Sequence, residues 1–248
     1  MLVAAADEAG GSVAGIRLRL LHAFALECDG VTVQLPASAQ RVLAFLALHE
    51  HPVRRSYVAG SLWLDSPEER AYANLRSALW RLRRLGSRLV EADGTALSLG
   101  RDVRVDLRES EQLARRAVAR DRTEDLACDL KLFGSDLLPD WYEDWVLIER
   151  EHYRQLRLHA LDALCEQLTA AGRLDEALEA GLAAVAGEPL RESAQRALIR
   201  VHLAEGNGGE AIRQYRLYRH LLTEHLGIEP SALMEELVGD LDAVETIR

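Results

Sequence analysis

The sequence predicts an α+β N-terminal domain, a small winged helix-turn-helix, followed by an all-α domain of paired, repeating helices. Three observations predict it. Residues 16–105 alternate in strand-like patterns on either side of three helical stretches, whereas no strand pattern follows Asp106. Charge is divided unevenly: the net charge is -10, yet residues 1–105 hold 13 Arg against 11 Asp+Glu, and residues 106–248 hold 17 Lys+Arg against 29 Asp+Glu. A glycine–alanine pattern in the acidic half returns after 34 residues. A chain of 248 residues with 48% hydrophobic content has room for two packed cores.

Residues Met1 to Gly15 are small and polar, carry Asp7 and Glu8, and have neither a basic nor an apolar block, so 1–15 reads as a disordered tail and not a signal peptide. Ile16 to Leu26 alternates and then turns apolar. Val31-Thr-Val-Gln-Leu35 alternates again after Asp29-Gly30, a two-residue hairpin turn. Pro36 introduces a helix over Ala37–His49 whose Val42, Leu43, Phe45, Leu46 and Leu48 are too apolar for a surface. After Pro52, Arg54-Arg-Ser56 opens a short helix with Val58, Leu62 and Trp63 on its apolar side. Glu68 and Glu69 then stand where acids favour a helix start. The third helix follows, with apolar residues at Ala71, Leu75, Ala78, Leu79, Leu82 and Leu85. Leu89–Glu91 and Ala96–Leu99 flank Asp93-Gly94 as a second hairpin, to which Val103-Arg-Val105 is a candidate third strand.

The third helix is the chemical anomaly of the chain. Between Arg70 and Val90 stand Arg70, Arg76, Arg81, Arg83, Arg84 and Arg88 with no carboxylate. At about 100° per residue, the arc opposite the apolar stripe holds Arg70, Asn74, Arg76, Ser77, Trp80, Arg81, Arg83 and Arg84. Like charges at this spacing repel by roughly 0.2–0.5 kcal/mol a pair, a strain that an external anion relieves. Guanidinium forks match phosphate and the O6/N7 edge of guanine. A basic face that is merely solvated is the bland alternative. The order hairpin, three helices, hairpin decides for nucleic acid, because in a winged helix the third helix packs its apolar face on the first two and leaves the other face free. The acidic half repels a phosphate backbone and is expected to meet protein.

From Asp106 onward the helical periods break at Arg120–Asp125, Gly134–Asp140, Gly172, Gly187–Pro189, Gly206–Gly209 and Gly227–Pro230. Gly172-Arg-Leu-Asp-Glu-Ala177 returns as Gly206-Asn-Gly-Gly-Glu-Ala211, a separation of 34 residues, which is the tetratricopeptide period. The helix pairs are Glu151–Ala170 with Leu174–Ala186 and Leu190–Ala204 with Glu210–Leu222. Two repeats bury too little alone, so helices at Leu107–Ala119 and Leu126–Leu132, or a tail helix at Ser231–Val244, are expected to close the ends. Trp141 and Trp145 read either as packing residues or as a partner pocket.

Enzymatic chemistry finds no footing. There is no GxxxxGK[ST], no GxGxxG and no HExxH; His220, Glu224 and His225 come nearest to a metal site and have no third ligand near in sequence. Cys28, Cys128 and Cys165 lack disulfide or zinc spacing and read as reduced core thiols of a cytoplasmic protein. No cofactor, catalytic residue or metal ligand is assigned, and no stretch is long and apolar enough for a membrane helix.

A winged helix followed by tetratricopeptide-like helices resembles the SARP group of bacterial regulators, which join an OmpR-type DNA-binding domain to a bacterial transcriptional activator domain. The residues that carry the resemblance are Asn74-Leu-Arg-Ser-Ala-Leu-Trp-Arg-Leu-Arg-Arg84, Asp136-Leu-Leu-Pro-Asp-Trp-Tyr-Glu-Asp-Trp145, Leu190-Arg-Glu-Ser and Glu224-His-Leu-Gly-Ile-Glu-Pro230. The resemblance implies a DNA-binding domain over 16–105 and an activator domain over 106–248. It also implies promoter DNA and RNA polymerase as partners, with cooperating protomers, a possible homodimer, on direct repeats. By position, Arg76, Ser77 and Trp80 correspond to the face that meets bases and phosphates, and Arg81, Arg83 and Arg84 to backbone contacts. Arg54, Arg55 and Ser56 correspond to a phosphate clamp at the second helix, and Arg101 and Arg104 are candidates beside the wing. The competing expectation is a protein-interaction adaptor, in which the repeats bind a partner and the winged helix is a docking module.

Overall fold

A computed structural model describes residues 15–85, 89–120, 130 and 133–245, the last six of them as backbone only. The N-terminal tail before Gly15, Arg88, Cys128 and the helix expected over 126–132, apart from Leu130, lie outside the described residues. The chain forms two compact units: Met1–Leu107 with Leu137–Glu149, and Arg108–Asp136 with Arg150–Arg248.

In the first unit, β1 (Ile16–Arg19), β2 (Ala25–Cys28) and β3 (Val31–Val33) form an antiparallel meander. Asp29 and Gly30 both take positive φ, 50° and 78°, as a two-residue turn with the strand twist demands. The alternating run expected from Ile16 to Leu26 is two strands and not one. His22 turns the chain at φ 72°, and the preceding amides are diverted from the ladder: Leu20 and Leu21 donate to the Asp106 carboxylate at 2.8 and 3.1 Å. Asp106 also accepts from the Leu107 amide at 2.7 Å. Burial pushes its carboxyl pKa up from the ordinary value, against the pull of these three amides.

The core helices follow as α1 (Ala37–Ala47), α2 (Arg55–Leu62) and α3 (Glu68–Arg83). The wing is built by β5 (Val90–Asp93) and β6 (Ala96–Leu99), and its third strand is not the expected Val103–Val105. That place is taken by β4 (Val53–Arg54), which pairs antiparallel with β6. Val103–Val105 is β7, which lies parallel to β1 at the edge of the first sheet. Its alternation was legible, since Val103 and Val105 are buried and Arg104 exposed, but a two-residue strand such as β4 carries no period to read.

Residues 137–149 pack on this same unit. Leu137 bridges to Leu21, and the Leu138 amide donates to the Leu20 carbonyl at 2.9 Å. Trp141 stacks on Phe24 with ring centroids 5.9 Å apart, Trp145 meets Phe45 edge-on at 5.2 Å, and Arg41 pairs with Glu143 at 2.9 Å. The two tryptophans are therefore packing residues, half-buried against the winged helix.

The second unit is all-helical, with α4 (Asp106–Val118) from Arg108 onward and α5 (Asp144–Ala170) from Arg150 onward. It continues through α6 (Leu174–Gly187), α7 (Glu192–Ala204), α8 (Gly208–Leu226) and α9 (Ala232–Glu245). The two halves of the repeat use the same backbone device: Gly172 and Gly206 adopt φ 74° and 77°, and Ala177 and Ala211 are both fully buried. A Cβ at Gly181 would stand 3.2 Å from both the Cys165 Sγ and the Leu198 Cδ1, so the close helix approach there admits a side chain only by displacing its neighbours a few tenths of an ångström. Both ends are closed. Ala114 and Ala117 of α4 join the Leu161, Leu164 and Leu168 core, and Met234 and Val238 of α9 join Ile199, Tyr215, Tyr218 and Leu222. Glu192 staples α9 in place by accepting from the Ser231 amide at 2.9 Å, from the Ser231 hydroxyl and from Arg196 at 2.6 Å. Cys165 is buried, with burial pushing its thiol up to about 12, whereas Cys28 lies half-buried on β2 and not in the core.

Two expectations follow. Asp106→Ala orphans the buried Leu20 and Leu21 amides and should lower the unfolding free energy by about 2–4 kcal/mol in urea denaturation. Burial of Glu192 opposes ionisation, but the Ser231 and Arg196 donors prevail and hold its carboxyl below the ordinary 4.5. A lowered folded-state pKa means this contribution is full above the unfolded value and is lost as pH falls through the folded one. Amide protection in α9, with exchange rates corrected for their intrinsic pH dependence, should therefore fall on acidification below about pH 4.5, and Glu192→Gln should show reduced protection already at neutral pH.

Candidate nucleic-acid interface

α3 follows Pro67 at its N-cap and carries Glu68 and Glu69 in its first turn, with Arg81 and Arg83 in its last, so both ends suit the helix dipole. It buries Ala71, Leu75, Ala78, Leu79 and Leu82 and packs on α1, α2 and β5. That packing fixes which way the remaining residues point. Arg70, Arg76, Ser77, Trp80, Arg81, Arg83 and Arg84 are exposed, and Asn74 is half-buried. Among the described residues none of these five guanidiniums has a carboxylate partner. Arg81 leans to the Ser38 hydroxyl of α1 at 3.4 Å, and the Arg84 guanidinium lies 4.8 Å from the centroid of the Trp80 ring.

The start of α2 is brought to the wing. Arg54 pairs with Ala96 across β4 and β6, and the Arg55 amide donates to the Thr95 carbonyl at 2.8 Å, next to Gly94 in the wing turn. Arg54 and Ser56 are exposed and Arg55 half-buried. The two arginines assigned beside the wing separate. Arg101 is at the wing base, 90% exposed and 3.7 Å from Glu91, which also accepts its backbone amide at 3.3 Å. Arg104 is on β7, in register with Arg17 of β1, and so belongs to the other sheet. The sequence reading missed Tyr57, which is 57% exposed on α2 directly after Arg55 and Ser56, its ring 5.9 Å from Phe45. A tyrosine following a basic pair at a helix start was the available signal.

Comparison with protein families matches residues 102–241 to the family described as "Bacterial transcriptional activator domain", more than half of the chain. The chain belongs to that family.

Regulatory protein AfsR of Streptomyces coelicolor is 29% identical over 224 residues, 84% of this chain. The chain spans about a fifth of the length of that relative, 22%. Among solved structures, Mycobacterium tuberculosis EmbR in complex with a low affinity phosphopeptide is similar with a TM-score of 0.74 at 22% identity, over 92% of this chain and 65% of that one. This likeness shows a shared fold. A winged-helix-like sheet region thus precedes the bacterial transcriptional activator domain, and the curated relative is itself named a regulatory protein. Among the described residues no helix is long and apolar enough to cross a membrane.

The two faces of α3 should respond differently to truncation. Leu75→Ala removes a buried side chain and should cost about 2–5 kcal/mol of stability. Arg76→Ala, on the exposed face, should stay within about 0.5 kcal/mol by the same denaturation measurement.

Proposed function

We propose that the chain binds promoter DNA through α3 and activates transcription by bringing RNA polymerase to the site with its helical repeat unit. The observation that carries the reading is the α3 face itself: five exposed arginines, no carboxylate partner among the described residues, and a scaffold that buries the opposite side. In this arrangement α3 enters the major groove, and Arg54, Arg55 and Ser56 meet phosphates with the wing turn beside them. Tyr57 adds a hydroxyl donor to that cluster. Arg101 contributes from the wing base. Arg104, on the other sheet, is left to the solvent. The acidic second half keeps clear of the phosphate backbone and faces protein.

Binding should weaken steeply with salt, with a log–log slope near -0.9 per phosphate contacted, about -5 to -7 for five to eight contacts. Arg76→Ala combined with Arg81→Ala should reduce affinity for DNA selected by the chain about 30-fold or more and make the slope shallower by about 1–2. Circular dichroism should remain unchanged. Equal affinity and equal slope in a gel-shift titration would sink the assignment of the contact to α3, and no shift with any DNA would leave the adaptor reading in its place. In a run-off assay with purified polymerase, added protein should raise transcript yield; a fall would mean repression by occlusion.

A further inference from the structure

We infer that Trp80 is a specificity-determining residue that packs on the 5-methyl group of a thymine in the major groove. This rests on the DNA reading of α3 and goes further, to the chemistry of one base. With Ala71, Leu75, Ala78, Leu79 and Leu82 buried, the direction opposite the core at about 100° per residue falls between Trp80 and Ser77, on a ridge shared with Ala73 and Arg84. Arg76 and Arg83 lie on one flank of that ridge, and Arg70, Asn74 and Arg81 on the other. A helix that enters the major groove turns its ridge to the base edges and its flanks to the two phosphate walls. The flanks of α3 are mainly guanidinium. Its ridge holds a methyl, a hydroxyl and an indole, with the Arg84 guanidinium lying over the indole.

Trp80 is 57% exposed, so more than half of its surface stays in water in the free protein. The Arg84 guanidinium lies over its ring at 4.8 Å, a contact that favours this placement of the indole. On the floor of the major groove the base edges offer polar donors and acceptors except at thymine, whose C5-methyl is apolar. An indole on the ridge of a groove-entering helix therefore selects for that methyl.

The test uses DNA sites selected from a random library by the full chain. Each thymine in the bound site is replaced in turn by deoxyuridine, which pairs identically and lacks only the methyl. At one or two positions the wild-type chain should lose about fourfold in affinity, the worth of one buried methyl group. Trp80→Ala, a change at an exposed position, should abolish the loss at those positions and leave the effect of Arg76→Ala with Arg81→Ala intact. Should no thymine be methyl-sensitive, or should Trp80→Ala keep the full sensitivity, the inference is overturned while DNA binding by α3 stands. Should the library yield no site, the DNA reading falls and this inference with it.

Discussion

The burial of one side of α3 is the constraint on which the rest depends. Ala71, Leu75, Ala78, Leu79 and Leu82 leave the helix only one way to lie against α1 and α2, and that placement alone turns Arg70, Arg76, Arg81, Arg83 and Arg84 outward together. Five cations on one helix face repel one another, so the arrangement persists because the apolar side outweighs the repulsion. Burying each leucine contributes about 1.5–3 kcal/mol, against a few tenths for each like-charge pair. The protein thus holds a basic surface in readiness at little cost to its fold.

The elements around α3 serve that placement. β4 ties the start of α2 to the wing through the Arg54 and Ala96 pairing, and the Arg55 amide closes onto Thr95, so the basic start of α2 is held beside the wing turn. Residues 137–149 brace α1, the helix that α3 leans on, through Arg41 with Glu143 and Phe45 with Trp145. Asp106 fixes the edge of the first sheet by capturing two amides that would otherwise interrupt it unpaired. In the second unit, paired glycines at Gly172 and Gly206 and the Glu192 staple produce a closed helical stack from only two repeats.

Features with a period of their own were legible in the sequence. The apolar stripe of α3, the alternation of β5 and β6, and the 34-residue return of the Gly172 turn each announce a local conformation, and each is found, except that Leu85, read as the sixth residue of the stripe, lies past the helix end and is exposed. Partner choice was not legible. β7 alternates correctly yet pairs with β1 instead of the wing, because a strand's period says which face is buried and nothing about which edge it meets. The spacing of Trp141 and Trp145 likewise left core and pocket open, and only contact with Phe24 and Phe45 resolved it. Among the candidate site residues, those on α3 share a face because one helix carries them. Arg101 and Arg104, assigned by nearness in sequence, part company because a sheet boundary runs between them.

That α3 reads DNA from within the major groove is tested most directly by dimethyl sulfate protection on a selected binding site. The reagent methylates guanine N7, on the major-groove edge where an arginine fork would sit. The account predicts that N7 positions within one helical turn are protected by the wild-type chain and become reactive again with Arg76→Ala and Arg81→Ala at concentrations that still saturate the DNA. Protection of the sugar-phosphate backbone from hydroxyl radical with every guanine N7 fully reactive would contradict it.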